Sequence, residues 1–303
     1  MSDPFLFTAA VLSQLRSELP LTLPPLKLLA QVPRAGQSLS QPIQKAIAFP
    51  EHRFNSAEFL QIDRPRSNAQ LYAQRIASLR VGRLYTRLPV NSFRDVWRQA
   101  TGQPTYEAWR WLLALEGRAV AGGQGQRRLS VMVGDSLSQW FPSDRLPSDQ
   151  LWLNQAISGD TTKGVLNRLK DFAQTRPSTV YVMAGINDLK RGASDREVLS
   201  NLERIIQQLR STHPQAQIVV QSLLPTRAVP ISNAQINRVN RQLRTIALQN
   251  GAVYLDLHAQ VIDANGQLQA RFTTDGLHLS PDGYGVWQSV LRQAEVLVAR
   301  GAG

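Results

Sequence analysis

The chain has 303 residues, with 34 Lys/Arg against 22 Asp/Glu, a formal charge of +12; 43% hydrophobic and 18% charged residues describe a globular protein, not a disordered one. Cysteine is absent, which excludes disulfides, thiolate nucleophiles and Cys-ligated metals, and four histidines leave little room for a His-rich metal site. No stretch approaches the roughly 18 apolar residues that a membrane span needs. The acidic start Met1-Ser2-Asp3-Pro4, and the apolar run Phe5 to Leu15 that soon meets Arg16, lack the basic beginning of a secretory signal. A cytoplasmic location is expected.

Charge and proline divide the chain. Residues 1–129 hold 17 Lys/Arg against 8 acids, a net of +9, whereas residues 130–303 carry only +3, and 10 of the 17 prolines lie in the first part. Pro20 to Pro50, with Pro24, Pro25 and Pro33 inside it, reads as extended or turn-rich chain. Helical spacing then appears: Leu71, Tyr72, Ile76 and Leu79 fall on one face after Ser67, a suitable N-cap. Phe93, Val96, Trp97 and Ala100 repeat the pattern after Asn91. A third helix is predicted from Thr105 to about Val120, ending in Gly122-Gly123-Gln124-Gly125-Gln126, which reads as a flexible connector. The expected organisation is a basic, Pro-rich and then helical extension over residues 1–128, followed by a domain over 129–303.

In that second part Leu129–Val133, Thr179–Met183, Gln217–Val220 and Ala252–Leu255 are short apolar runs rich in Val, Ile and Tyr. Helical patterns over Thr161–Thr175, Asp195–Ser211, Asn233–Gln249 and Pro281–Arg300 lie between and after them. Buried strands alternating with helices predict an α/β fold with a parallel sheet and helices on both faces. The site of such a sheet lies at the carboxyl ends of its strands.

Four short motifs fall there. Gly134-Asp135-Ser136-Leu137 follows the first strand, where a serine can present its hydroxyl beside the unpaired N–H groups of a helix start; a plain strand-to-loop turn uses the same residues. In Asn154-Gln155-Ala156-Ile157-Ser158-Gly159-Asp160-Thr161, Asp160 or Thr161 suits a helix cap, while Gly159 offers a backbone N–H that no Cβ hinders. Gly185-Ile186-Asn187-Asp188 follows another strand, and Asn187 can either close an Asx-turn or offer its amide to the site. In Asp275-Gly276-Leu277-His278 a histidine, able to act as general base, stands three residues after an acid that can orient its ring. His52, His213 and His258 read as surface residues, with His213 placed at a helix end where a cation suits the dipole.

Taken together, in this order and at these strand ends, the motifs resemble the four sequence blocks of the SGNH hydrolases, also called the GDSL esterase/lipase family. The resemblance covers roughly residues 129–300, and Asn154 to Thr161 looks like the thioesterase/lysophospholipase-like branch, although Ala156 stands where many members carry glycine. It implies a flavodoxin-like three-layer α/β/α sandwich and a serine esterase that cleaves carboxylic esters, with thioesters as a variant. Ser136 would be the nucleophile, His278 the base, Asp275 the residue that orients it, and Ser136, Gly159 and Asn187 the oxyanion hole. No metal or cofactor is implied. Asp188 reads as a loop-ordering residue, and Trp140 and Phe141 as either the border of an acyl pocket or core.

Two alternatives stay open. The family also removes acetyl groups from sugars, so a carbohydrate O-acetyl esterase is a second substrate reading. The other is a basic docking protein with an inactive hydrolase domain: Arg75, Arg80, Arg83 and Arg87 could meet anionic lipid headgroups or nucleic acid by charge alone. The expected partner is a small-molecule or lipid ester, with an anionic surface contact through the N-terminal region. No nucleic-acid motif is present.

Overall fold

The computed structural model describes residues 63–301; His52, the Pro20–Pro50 stretch and the acidic start lie outside them. Side chains that alternate between two buried faces build the sheet. Strands β1 (Leu129–Gly134), β2 (Leu151–Ala156), β3 (Thr179–Met183), β4 (Gln217–Gln221) and β5 (Val253–Leu255) pair in the order β2-β1-β3-β4-β5, every pair parallel. Val131, Val133, Val180, Val182, Ile218 and Val220 face one hydrophobic cluster. Their neighbours Met132, Tyr181, Met183 and Val219 face the other. Both faces are buried, as a parallel sheet requires.

Helices cover the two faces unequally. Helices α1 (Asn68–Arg80), α2 (Tyr106–Gly123), α3 (Thr162–Arg168), α5 (Asp195–Thr212) and α6 (Asn233–Gln249) contribute Leu79, Leu112, Val165, Ile205 and Val239 to the first cluster, whereas α7 (Pro281–Gly301) brings Trp287 and Leu291 to the second. A short helix, α4 (Ile186–Lys190), follows β3. The result is the α/β/α three-layer sandwich with a parallel sheet that the motifs imply. Caps fall where polar side chains were available: Ser67, Thr105, Thr161 and Ser194 each accept a hydrogen bond from an N–H in the first turn of their helix.

Several expectations are corrected. The connector at Gly122–Gln126 is not a loose hinge: α2 runs through Gly123, and the Gln124 side chain donates to the carbonyls of Arg127 and Arg176 while accepting from the Arg176 N–H. The helix expected around Phe93 to Ala100 is a single turn, Arg94–Trp97, entered through Phe93 at φ 59, and Val96 faces solvent. Strand β2 lacks the apolar run of the other strands because Asn154 and Gln155 interrupt it, yet both are buried and hydrogen-bonded to backbone carbonyls.

Two histidines read as surface groups are interior. His213 is 5% exposed and stacks on Phe172 with ring centroids 5.4 Å apart; burial lowers its pKa to about 4, so it carries no charge for the helix dipole. His258 is also buried, which pushes its pKa down. Nor do Arg75, Arg80, Arg83 and Arg87 form one basic face. Arg75 is fully buried and paired with Glu116 of α2, while Arg87 donates to the carbonyls of Ser148 and Gln150. No helix of the described residues is long and apolar enough to cross a membrane.

Candidate active site

The carboxyl edge of the sheet gathers the four motifs. Strand β1 ends at Gly134, where close approach forbids a side chain: a Cβ there would lie 2.2 Å from the Met183 carbonyl oxygen at the end of β3. The chain turns at once into the helical turn Ser136–Gln139, so Ser136 and its N–H stand at the first position of a helix. Asp135 caps that turn, its Oδ1 accepting from the Leu137 N–H at 3.1 Å. Its carboxyl is wholly buried, and burial raises its pKa to about 7.

From the other side comes the loop before α7. Asp275 Oδ1 accepts from the Leu277 and His278 N–H groups at 3.0 and 2.8 Å, and its Oδ2 lies 2.6 Å from His278 Nδ1. His278 Nε2 lies 3.1 Å from Ser136 Oγ. The loop itself is tied down. Gly276 O accepts from Thr226 Oγ1 and the Arg227 N–H, both at 2.8 Å, and Thr273 Oγ1 donates to the His278 carbonyl. Partial burial would raise the Asp275 pKa, but the hydrogen bonds from the His278 ring and from two backbone N–H groups outweigh it and hold the carboxyl at about 2. At neutral pH Asp275 is therefore an anion facing the ring Nδ1. That geometry favours the tautomer with Nδ1–H donating to Asp275 and a lone pair at Nε2 facing the serine hydroxyl.

The second and third motifs meet beside this pair. Gly159 follows β2 in a left-handed conformation, φ +79, with nothing near the position a Cβ would occupy. Its carbonyl accepts from Arg191 at 2.8 Å. Asn187, in α4, donates through Nδ2 to the Asp160 carbonyl at 3.0 Å, which fixes its amide against the Gly159 loop and leaves its second amide hydrogen uncommitted in that bond. Asp188 turns the opposite way. It accepts from the Thr162 N–H and hydroxyl at 2.9 and 2.6 Å, holding the start of α3.

The nearby aromatic residues divide. Phe141 is core, edge-on to Tyr284 and Trp287 with centroids 5.8 and 5.2 Å apart, while Trp140 is half-buried against both clusters.

Three further residues support the site from inside the fold. Arg168, fully buried in α3, pairs with Asp160 at 2.6 Å and donates to the carbonyls of Gln155 and Gly134, bridging the ends of β1 and β2. Arg75 donates to the Asn154 carbonyl at 2.7 Å. Asn154 reaches across to the Ser138 carbonyl at 2.8 Å, joining β2 to the turn that carries Ser136. Among the described residues no group of His, Asp and Glu is arranged to hold a metal ion.

The chain is similar to known proteins over part of its length. It is 33% identical over 162 residues to the human platelet-activating factor acetylhydrolase IB subunit alpha2, covering 51% of this chain and 70% of that one. The bovine alpha1 subunit is 33% identical over 183 residues, covering 58% and 78%. Two solved structures share the fold: a Streptococcus pneumonia protein, with TM-score 0.55 at 24% identity over 62% of this chain and 92% of the other, and a GDSL-like lipase from Bacteroides thetaiotaomicron VPI-5482, with TM-score 0.54 at 19% identity over 63% and 98%. A family model matches residues 116–286, a span that runs from the middle of α2, across all five strands, to the first turns of α7. With that match over more than half its length, the chain belongs to the GDSL-like lipase/acylhydrolase family and is a hydrolase that acts on esters.

Proposed function

We propose that the protein hydrolyses carboxylic esters through an acyl-enzyme on Ser136, with His278 as general base and acid and Asp275 orienting it. The single observation that carries this reading is the continuous chain of side chains, Ser136 Oγ to His278 Nε2 at 3.1 Å and His278 Nδ1 to Asp275 Oδ2 at 2.6 Å. Ser136 Oγ attacks the ester carbonyl carbon as its proton passes to His278 Nε2. The imidazolium that forms is matched by the Asp275 carboxylate, which a pKa of about 2 keeps ionised. The tetrahedral oxyanion takes hydrogen bonds from the Ser136 N–H, the Gly159 N–H and the second hydrogen of Asn187 Nδ2. Collapse breaks the C–O bond to the alcohol, which leaves with the proton from His278. Water, deprotonated by the same nitrogen, then attacks the acyl-enzyme and returns Ser136.

The relatives bear the name acetylhydrolase, so a short acyl group is the first substrate to try. Ser136→Ala is the decisive variant. It should abolish turnover of a short p-nitrophenyl ester while circular dichroism shows an unchanged fold. Near-normal turnover in the folded variant would dismiss Ser136 as the nucleophile. An acyl-length series with chromogenic esters and acyl-thioesters, together with an acetylated oligosaccharide, then separates the substrate readings.

A further inference from the structure

The loop that carries Gly159 also forms the wall of an open groove of about 470 Å³, lined among others by Ser158, Lys163, Asn167 and Arg191. Its charge is one-sided. The carboxylate at its edge, Asp160, is 5% exposed and already matched: Oδ2 accepts from buried Arg168 at 2.6 Å, and Oδ1 accepts from the Thr161 N–H at 2.9 Å and from the Tyr106 hydroxyl at 3.4 Å. Asp188 faces away, toward Thr162. The other charged groups of the groove are Lys163 and Arg191. Both are exposed, and neither has a carboxylate partner among the described residues. Arg191 is nonetheless fixed in place, because its guanidinium donates to the Gly159 carbonyl at 2.8 Å. One cation is thereby held one peptide group from the backbone N–H that would receive the substrate's oxyanion, and a second stands on the first turn of α3 in the same groove.

A solvated pair of surface cations would be unremarkable in a chain of this charge. The distinguishing feature is their position on a concave surface that shares Gly159 with the reacting centre. From this geometry we infer that the groove is a subsite for a negatively charged group of the ester, a carboxylate or a phosphate, with Lys163 and Arg191 as its specificity residues. This rests on the Ser136 reading. An ester whose carbonyl oxygen sits at Gly159 directs one of its two substituents along that loop. A substituent ending in an anion gains charge-assisted hydrogen bonds from both cations, and the fork of Arg191 still has donors beyond the one spent on Gly159.

The test compares kcat/KM for three acyl donors: neutral p-nitrophenyl acetate, mono-p-nitrophenyl glutarate with its carboxylate on the acyl side, and acetyl-glycerol 3-phosphate with its phosphate on the alcohol side. The readout is the ratio of each anionic ester to the neutral one, in the full chain. At low salt Lys163→Gln should lower the ratio for at least one anionic ester by roughly tenfold. Arg191→Gln should do the same, while Arg191→Lys, which keeps the charge, should retain most of it. Rising ionic strength should erase the wild-type preference. Which anionic ester responds tells whether the groove receives the acyl or the alcohol part. Ratios that stay put in Lys163→Gln and Arg191→Gln for both anionic esters, in protein whose Ser136→Ala variant is dead, would overturn the subsite and leave the esterase reading standing. Persistent turnover in Ser136→Ala would overturn the reading beneath it.

Discussion

Removing Arg75 should cost the protein more stability than removing any exposed cation, and the cost should depend on pH. Arg75 and Glu116 are 0% and 1% exposed in their side chains; Nε donates to Oε1 at 2.9 Å, a terminal nitrogen pairs with Oε2, and that same nitrogen donates to the Asn154 carbonyl at 2.7 Å. The guanidinium also lies 4.7 Å from the Tyr85 ring centroid and 5.5 Å from that of Trp109. Arg75→Met fills similar volume but strands a buried carboxylate, a change that typically costs about 3–5 kcal/mol. At about 2 °C per kcal/mol for a domain of this size, the unfolding midpoint should fall by roughly 6–10 °C.

The sign of the pH effect follows from Glu116. Burial raises its pKa, and Arg75 opposes that rise. Without Arg75 only the upward push remains, so the folded variant holds a proton on Glu116 that the unfolded chain, with a carboxyl near ~4.3, has already released. Stability of Arg75→Met is therefore greatest below that unfolded value and is lost as pH rises through the folded one. Arg75→Met/Glu116→Leu removes both charges and should recover most of the loss. Urea unfolding of wild type, the single and the double variant at pH 5 and pH 8 measures all of this. A single-variant cost below about 1 kcal/mol at pH 8, or a double variant no better than the single, would refute the reasoning.

Asn187→Ala should lower kcat by about 10²–10³ with little change in KM, and Asn187→Asp should be worse, because a negative oxygen then faces the developing oxyanion; a loss confined to KM, or Asp equal to Ala, would count against the oxyanion role. Asp275→Asn keeps the shape of the loop but lets the ring adopt the other tautomer, and steady-state kinetics should show kcat down by roughly 10³–10⁴. The division of the chain at residue 128 is tested by expressing 129–303 alone. That fragment lacks Leu112, Leu113, Ala119 and Val120 of α2, all fully buried in the cluster that backs the sheet, so it should give low solubility and a broad thermal transition; a cooperative, active fragment would oppose this.

What could be read from the sequence was what is local. The strands β1, β3 and β4 and the helices α5, α6 and α7 are long apolar patterns bounded by turn residues, and their predicted limits fall within a residue or two of those observed. Ser136, Asn187, Asp275 and His278 stood out because each lies just past a strand or before a helix start, where the chain offers few other reasons for that residue type. The failures are long-range. The two polar residues that hide β2 find their partners on other elements, Asn154 at Ser138 and Gln155 at Leu113. His213 looks like a helix-end cation until Phe172, 41 positions earlier, is seen stacked on it.

The same limit explains why Arg75 reads as a surface cation and Arg168 carries no motif. Near the carboxyl ends of β1 and β2, where the chain leaves for the site, backbone carbonyls take donors from buried arginines. Arg168 takes the carbonyls of Gly134 and Gln155, and Arg75 that of Asn154. Each arginine is neutralised by one buried acid, Asp160 and Glu116. Gly134 precedes Ser136 by two residues, and Asn154 to Ala156 lead into Gly159, so Arg168 ties the strand that carries Ser136 to the one that leads into Gly159, and Arg75 ties that second strand to α1 and α2. A linear motif records residues close together in sequence. The groups that hold these elements in place come from α3 and from α1 and α2, and in the latter pair Arg75 supplies a charge to the interior of the fold.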